Sequence, residues 1–116
     1  AEYVKQRVQF DRPIGSFQAV HHHLAYMFTL VQASRWTTYQ AIDQLQRNRP
    51  AEREVAIAKA VSSDACQRVA ALAQQLHGGV GVDMANDLQF YCRRAKAMEL
   101  KLGPAAVHLK RMGEQL

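Results

Sequence analysis

Between Ser16 and Arg47, apolar or small residues recur at every third or fourth position: Phe17, Val20, Leu24, Met27, Val31, Ser34, Thr38, Ala41 and Leu45. That spacing draws one stripe along a helix, and a strand, whose side chains alternate, cannot sustain it. Ser16 carries the kind of oxygen that caps a helix N-terminus. Asn48-Arg49-Pro50 ends the pattern, because proline has no amide hydrogen and turns the preceding residue away from helix. A second helix is predicted from about Ala51 to His77, with Val55, Ala58, Ser62, Ala65, Val69, Leu72 and Leu76 inward. Its small residues Ala58, Ser62 and Ala65 admit a close helical neighbour, and Gly78 and Gly79 stop it. A shorter helix is expected over about Asp87 to Leu102, and Gly103-Pro104 opens the last one, with proline in its first turn. Residues up to Gln9 read as the closing turns of an earlier helix, ended by Asp11-Arg12-Pro13-Ile14-Gly15. No segment alternates like a strand. The expectation is an all-α, antiparallel up-and-down four-helix bundle.

The chain of 116 residues is 48% hydrophobic, enough for one domain with one core. No run of about eighteen apolar residues is present, which excludes a transmembrane helix. The opening Ala-Glu-Tyr-Val-Lys-Gln-Arg is charged and helical and lacks the apolar stretch of a signal peptide. It starts in mid-pattern without a cap, as a piece of a longer chain does. The net charge of +5 is spread along the sequence. No basic block interleaves with aromatics, so nucleic acid is not implied, and an anionic cofactor or an acidic neighbouring surface accounts for the excess equally well. Cys66 and Cys92 lack metal or redox spacing and read as reduced thiols, which points to a reducing compartment.

Chemistry-bearing residue types are few. His21-His22-His23 cannot ligate one metal from one helix face, since consecutive side chains point about 100° apart. His77 and His108 are isolated and read as packed histidines. Ser62-Ser63-Asp64 and Cys66 lie mid-helix without a paired histidine or a strained turn, so no nucleophile is indicated. Two blocks interrupt the helices differently. Arg7, Gln9, Phe10 and Gln18 set a cation, an aromatic face and two amides around a Pro-Ile-Gly corner. Gln75 places an amide one turn before Gly78-Gly79-Val80-Gly81, whose bare backbone admits a ligand closely. A cation, amides and an aromatic face suit a phosphate and a heteroaromatic ring.

Gln6–Val20, reading Gln-Arg-Val-Gln-Phe-Asp-Arg-Pro-Ile-Gly-Ser-Phe-Gln-Ala-Val, resembles the signature that opens the C-terminal domain of acyl-CoA dehydrogenases. Gln75–Gly81, Gln-Leu-His-Gly-Gly-Val-Gly, is similar to that family's second C-terminal signature, and Tyr91–Lys96 fits the stretch that follows. The resemblance spans the whole chain, residues 1–116, in order. It implies an FAD enzyme of fatty-acid or lipid catabolism (β-oxidation) that oxidises the Cα–Cβ bond of an acyl-CoA. A base removes an α-proton, flavin accepts a β-hydride, and electrons pass on to an electron-transferring flavoprotein. It further implies an N-terminal helical domain and a middle β-domain elsewhere in the protein, and a homo- or hetero-oligomer (a tetramer). The bacterial cytoplasm is expected separately, from the lack of a targeting signal in the sequence. By motif position Arg7 would meet the FAD pyrophosphate. Phe10 and Gln18 would line the adenine end in a partner subunit, and Gln75 with the Gly78-Gly79 backbone would close over the same FAD.

Several positions depart from the pattern. Asp11 replaces the usual glycine, and Val82-Asp83 stands where an aromatic is usual. Leu102 occupies the place of the catalytic glutamate, just before Gly103, and Pro104 replaces a residue that usually helps hold the flavin. Glu99 is nearly a full turn away from the base position. The chain therefore contains no catalytic residue of its own, and in isolation it should be inactive. Either the base lies on an upstream helix, or this is the non-catalytic, structural subunit of a heteromeric enzyme, of the kind that acts on steroid-CoA substrates. A bundle kept only for oligomerisation, its flavin contacts decayed, is the rival.

Overall fold

In a computed structural model, which describes residues 1–114, the chain is a row of helices around one central member. A short helix α1 (Glu2–Gln6) leads into two-residue strands β1 (Val8–Gln9) and β2 (Arg12–Pro13), then a single 3-10 turn at Ile14–Ser16. The long antiparallel pair α2 (Gln18–Gln46) and α3 (Glu52–His77) follows, then a one-turn helix α4 (Gly79–Val82), α5 (Leu88–Leu100) and α6 (Ala105–Gly113). The α3 helix packs against α2, α5 and α6. The all-α architecture thus matches the expectation, and the differences are local.

The first is the hairpin, which no periodicity announced. The helix stops at Gln6 rather than Gln9, Arg7 turns extended, and Val8 and Gln9 pair antiparallel with Pro13 and Arg12. A two-residue turn joins the strands, with Phe10 at φ 54° and Asp11 at φ 60°. Positive φ at both central positions is the geometry that matches strand twist, and it is normally left to Asn and Gly. Strands this short carry no alternation to read.

Ser16 does not cap α2. Its hydroxyl donates to the Pro13 carbonyl at 2.7 Å, closing the 3-10 turn, and Phe17 takes the capping position with no side-chain bond. Gly78 alone terminates α3, at φ 61° and ψ −142°, a region open essentially to glycine. Gly79 instead opens α4. The α5 helix ends at Leu100, two residues early, because Leu102 and Gly103 both take positive φ, 65° and 94°. Pro104 sits at the cap of α6 rather than within its first turn.

The inner face of α3 is also broader than one stripe. Ala56, Ala58, Ala60, Ser63 and Ala65 are buried, whereas Val55, expected inside, is 43% exposed. A helix flanked by three neighbours buries most of its circumference, and small residues let all three approach. Among the described residues no large side chain is fully buried. Large apolar groups lie outside instead, including Phe28, Trp36 and Tyr39 on α2 and Phe90 and Tyr91 on α5, and the molecule measures 55 × 26 × 24 Å. A groove of about 580 Å³ runs between α2, α3 and α5 past Val31, Ala65, Val69, Tyr91 and Met98. No described helix is long and apolar enough to cross a membrane.

Candidate functional site

Because α2 and α3 are antiparallel, the start of α2 and the end of α3 lie at the same end of the molecule, and α1 joins them there. Arg7 follows α1 directly: its amide donates to the Tyr3 carbonyl at 2.8 Å, and its own carbonyl accepts from Ile14 at 2.8 Å. The Tyr3 ring lies flat on the His77 imidazole, centroids 4.0 Å apart at 18°, and its hydroxyl points to the His77 carbonyl at 3.3 Å. His77 is the last residue of α3 and precedes the glycine run. The two sequence blocks therefore meet through Tyr3.

Within the hairpin, Phe10 is 86% exposed and touches Phe17 edge-on at 6.2 Å, while the Arg12 guanidinium covers the Phe17 face at 4.2 Å. Arg12 is thereby engaged with an aromatic ring. Arg7 forms no ion pair among the described residues. Gln18 and Gln75 are exposed, and neither side chain has a hydrogen bond in the described structure. Gln9 differs from them: its amide nitrogen folds back to the Val8 carbonyl at 2.8 Å, so it serves its own strand.

The glycines divide by role. A Cβ added at Gly78 or Gly79 would meet nothing within 4 Å, so that backbone faces open space. At Gly81 it would fall 2.9 Å from the His77 Cβ and 3.0 Å from the Gln74 carbonyl oxygen, so glycine is required for packing. Gly15 is required likewise, since its Cβ would lie 2.9 Å from the Val4 carbonyl oxygen where the Pro-Ile-Gly corner meets α1. The Gln89 side chain, on α5, donates to the Gly81 carbonyl and pins the far side of the turn.

The second region of interest is the turn at Lys101–Pro104. The Leu102 side chain is 80% exposed. Its carbonyl accepts from His108 at 2.9 Å, and His108 is itself buried. The Lys59 ammonium reaches across from α3 to the Met98 and Glu99 carbonyls at 2.9 and 3.2 Å and to the Ser63 hydroxyl at 2.8 Å. The Glu99 carboxylate is held by Gln67 and Lys96, each at 2.7 Å. It is therefore committed elsewhere, and the turn presents no carboxyl group. Glu2, on the exposed first turn of α1, ionises below the usual carboxylate range because Lys5 hydrogen-bonds it at 2.8 Å.

Remaining candidates fall into structural places. His21 and His22 are exposed and His23 half-buried, fanning round α2, and no group of three or more metal-ligating side chains converges among the described residues. Both cysteines are free. Tyr3, Lys59 and Gln89 escaped the sequence reading. Tyr3 sits four residues before Arg7, one helical turn, and that spacing was the available clue; Lys59 and Gln89 carried none.

Comparison with known proteins is consistent along the chain. Residues 1–116 match the family model described as acyl-CoA dehydrogenase, C-terminal domain. Acyl-CoA dehydrogenase FadE27 of Mycobacterium tuberculosis is 40% identical over all of this chain and 33% of its own length. The ChsE4–ChsE5 complex of the same organism contains a chain that superposes with TM-score 0.93 at 42% identity, covering 98% of this chain and 31% of that one. Butyryl-CoA dehydrogenase of Megasphaera elsdenii superposes with TM-score 0.94 at 36% identity over 98% and 30%. The chain spans about a third of the length of the curated relatives it matches. With the helical row, the Arg7 and Gly78 blocks at one end and these matches in agreement, the chain belongs to the acyl-CoA dehydrogenase family, as its C-terminal domain.

Proposed function

We propose that this domain supplies flavin contacts and an assembly surface to a full-length, FAD-dependent acyl-CoA dehydrogenase whose N-terminal helical and middle β-domains lie outside the chain. The observation that carries this is the juncture at Tyr3, whose carbonyl receives the Arg7 amide and whose ring stacks on His77, the residue before the open Gly78-Gly79 backbone. The residues present fit FAD. The guanidinium is unpaired among the described residues, two amides are unengaged, an aromatic ring is exposed, and nothing fills the space before the glycines. Arg7 would hold the pyrophosphate as a charge-assisted donor. Gln18 and Gln75 would add amide donors, Phe10 an aromatic face, and the glycines close backbone approach. Gln9, tied to Val8 through one N–H, keeps its amide oxygen and its second N–H for such a role. When bound, FAD supplies the acceptor for oxidation of the acyl-CoA Cα–Cβ bond. This chain contributes binding and orientation.

No proton is moved by residues of this domain. Leu102 has no ionisable group, and Glu99 is occupied by Gln67 and Lys96. A base would come from elsewhere in the protein or from a partner chain. The second reading, a non-catalytic subunit of a heteromeric enzyme, draws support from Leu102 and from likeness to a chain of the two-component ChsE4–ChsE5 complex. In either case the exposed aromatics of α2 and α5 are surface to be covered on assembly into a homo- or hetero-oligomer, with an electron-transferring flavoprotein as the electron acceptor. Bacterial cytoplasm remains the proposed location.

The test is Arg7→Ala in the full-length protein, read by flavin content after gel filtration. Loss of flavin supports the reading. Unchanged flavin content would reduce the domain to an assembly module.

A further inference from the structure

We propose that Tyr3 is a positioning residue that couples the two halves of the flavin-contacting end, with Gln89 as its counterpart on the far side of the glycine turn. The inference rests on the FAD reading above. Neither residue contacts the open face of Gly78-Gly79, and each acts through backbone that the ligand would meet.

One residue serves both blocks by different atoms. The Tyr3 main-chain carbonyl receives the Arg7 amide at 2.8 Å and so fixes where the chain leaves α1 for the hairpin. The Tyr3 side chain lies on His77, whose Nδ1 proton goes to the Ala73 carbonyl at 2.7 Å, so the imidazole is locked to its own helix. A displacement of Tyr3 therefore moves the Arg7 backbone and the His77–Gly78 junction together. Beyond the junction, Gln89 fixes the Gly81 carbonyl, and Gly81 cannot retreat because His77 and Gln74 leave no space beside it. The Gly78 amide caps α3 on the Gln74 and Gln75 carbonyls at 3.1 Å, and side chains from α1 and α5 brace the open Gly78-Gly79 segment on either side of that cap. Preorganisation of this kind lowers the ordering cost of binding.

The stack outweighs the hydroxyl. At 3.3 Å the bond from Tyr3 to the His77 carbonyl is longer than an ordinary O–H···O contact of about 2.7 Å, and therefore weak. The ring contact is close and nearly parallel. This ordering separates the variants: Tyr3→Phe keeps the ring, and Tyr3→Leu removes it.

The experiment uses the full-length protein, with FAD affinity measured by fluorescence of the released flavin and apoprotein stability by thermal unfolding. Tyr3→Leu is expected to weaken FAD binding tenfold or more, with Tyr3→Phe within about threefold of the parent. Gln89→Ala is expected to weaken it about threefold, and it decides the matter if Tyr3→Leu does not fold. In the Tyr3→Leu/Arg7→Ala pair the combined loss should be smaller than the product of the single losses, because both act on one arrangement. A drop in apoprotein stability with parental FAD affinity in both Tyr3→Leu and Gln89→Ala overturns the proposal and leaves Arg7 and the flavin reading intact. If the parent holds no FAD, or if Arg7→Ala retains it fully, the function proposed above fails and this inference falls with it.

Discussion

His108 Nε2 lies 2.9 Å from the carbonyl oxygen of Leu102, so a buried ring on α6 holds a leucine in the left-handed backbone region. A residue with a Cβ costs about 1–2 kcal/mol there, and such strain persists only where the surroundings over-determine it. Lys59 completes the restraint from the side of α3.

Leu102→Gly is therefore expected to stabilise the protein by about 0.5–1 kcal/mol, the relief of strain less the extra chain entropy of glycine. Little burial is lost, because the leucine is exposed. Denaturant unfolding checks this, and a lower midpoint for the glycine variant would show that Leu102 contributes packing that its exposure does not suggest.

Lys59→Met keeps the aliphatic stem but withdraws the donor from Ser63 and from two carbonyls at the end of α5. Ser63 is buried and cannot recover the bond from water, so a loss of about 1–2 kcal/mol is expected. Equal unfolding midpoints for Lys59→Met and the parent would mean that the ammonium is solvated rather than bound to the turn.

Gly81→Ala and Gly79→Ala should separate packing from ligand approach. The first forces a methyl against His77 and Gln74 and should cost about 1–3 kcal/mol of stability. The second meets nothing and should leave stability within about 0.5 kcal/mol, while weakening FAD binding in the full-length protein. Unchanged flavin affinity in Gly79→Ala would remove the glycine backbone from the proposed contact set.

At the hairpin, Asp11→Gly relaxes one of two positive-φ positions and should gain about 0.5 kcal/mol, less than at Leu102 because Asp tolerates this region better. Phe10→Ala should leave stability almost unchanged, since the ring is exposed, yet lower FAD affinity. Thermal unfolding beside a flavin titration distinguishes these, and equal flavin affinity in Phe10→Ala would exclude the ring from the site.

The long helices were legible because their apolar spacing runs for many turns and their ends carry proline or glycine. The hairpin was not, because two-residue strands leave no periodicity and the turn lacks the Asn-Gly that marks its type. Ser16 misled for a local reason: its hydroxyl had a nearer acceptor in Pro13 than the helix amides it was expected to cap. Val55 is exposed because a helix with three neighbours is not buried along a single stripe. Arg7, Gln75 and the glycines stand out by residue type at the breaks between helices and by the two signatures they belong to. Their meeting through Tyr3 required the antiparallel reversal of α2 and α3, a relation between positions 3 and 77 that no local pattern carries.

The alanine and serine lining of α3 has a consequence for how this domain can change over time. Ala56, Ala58, Ala60, Ser63 and Ala65 have almost no rotamers to freeze, so their burial carries little side-chain entropy loss. Fit at that centre depends on how near three backbones can lie, and one added methylene there would push on α2, α5 or α6. The larger aromatic groups stand at the periphery, where exchanging one for another leaves the centre undisturbed. The arrangement divides a fixed middle from an outer layer free to be recut for a different neighbour.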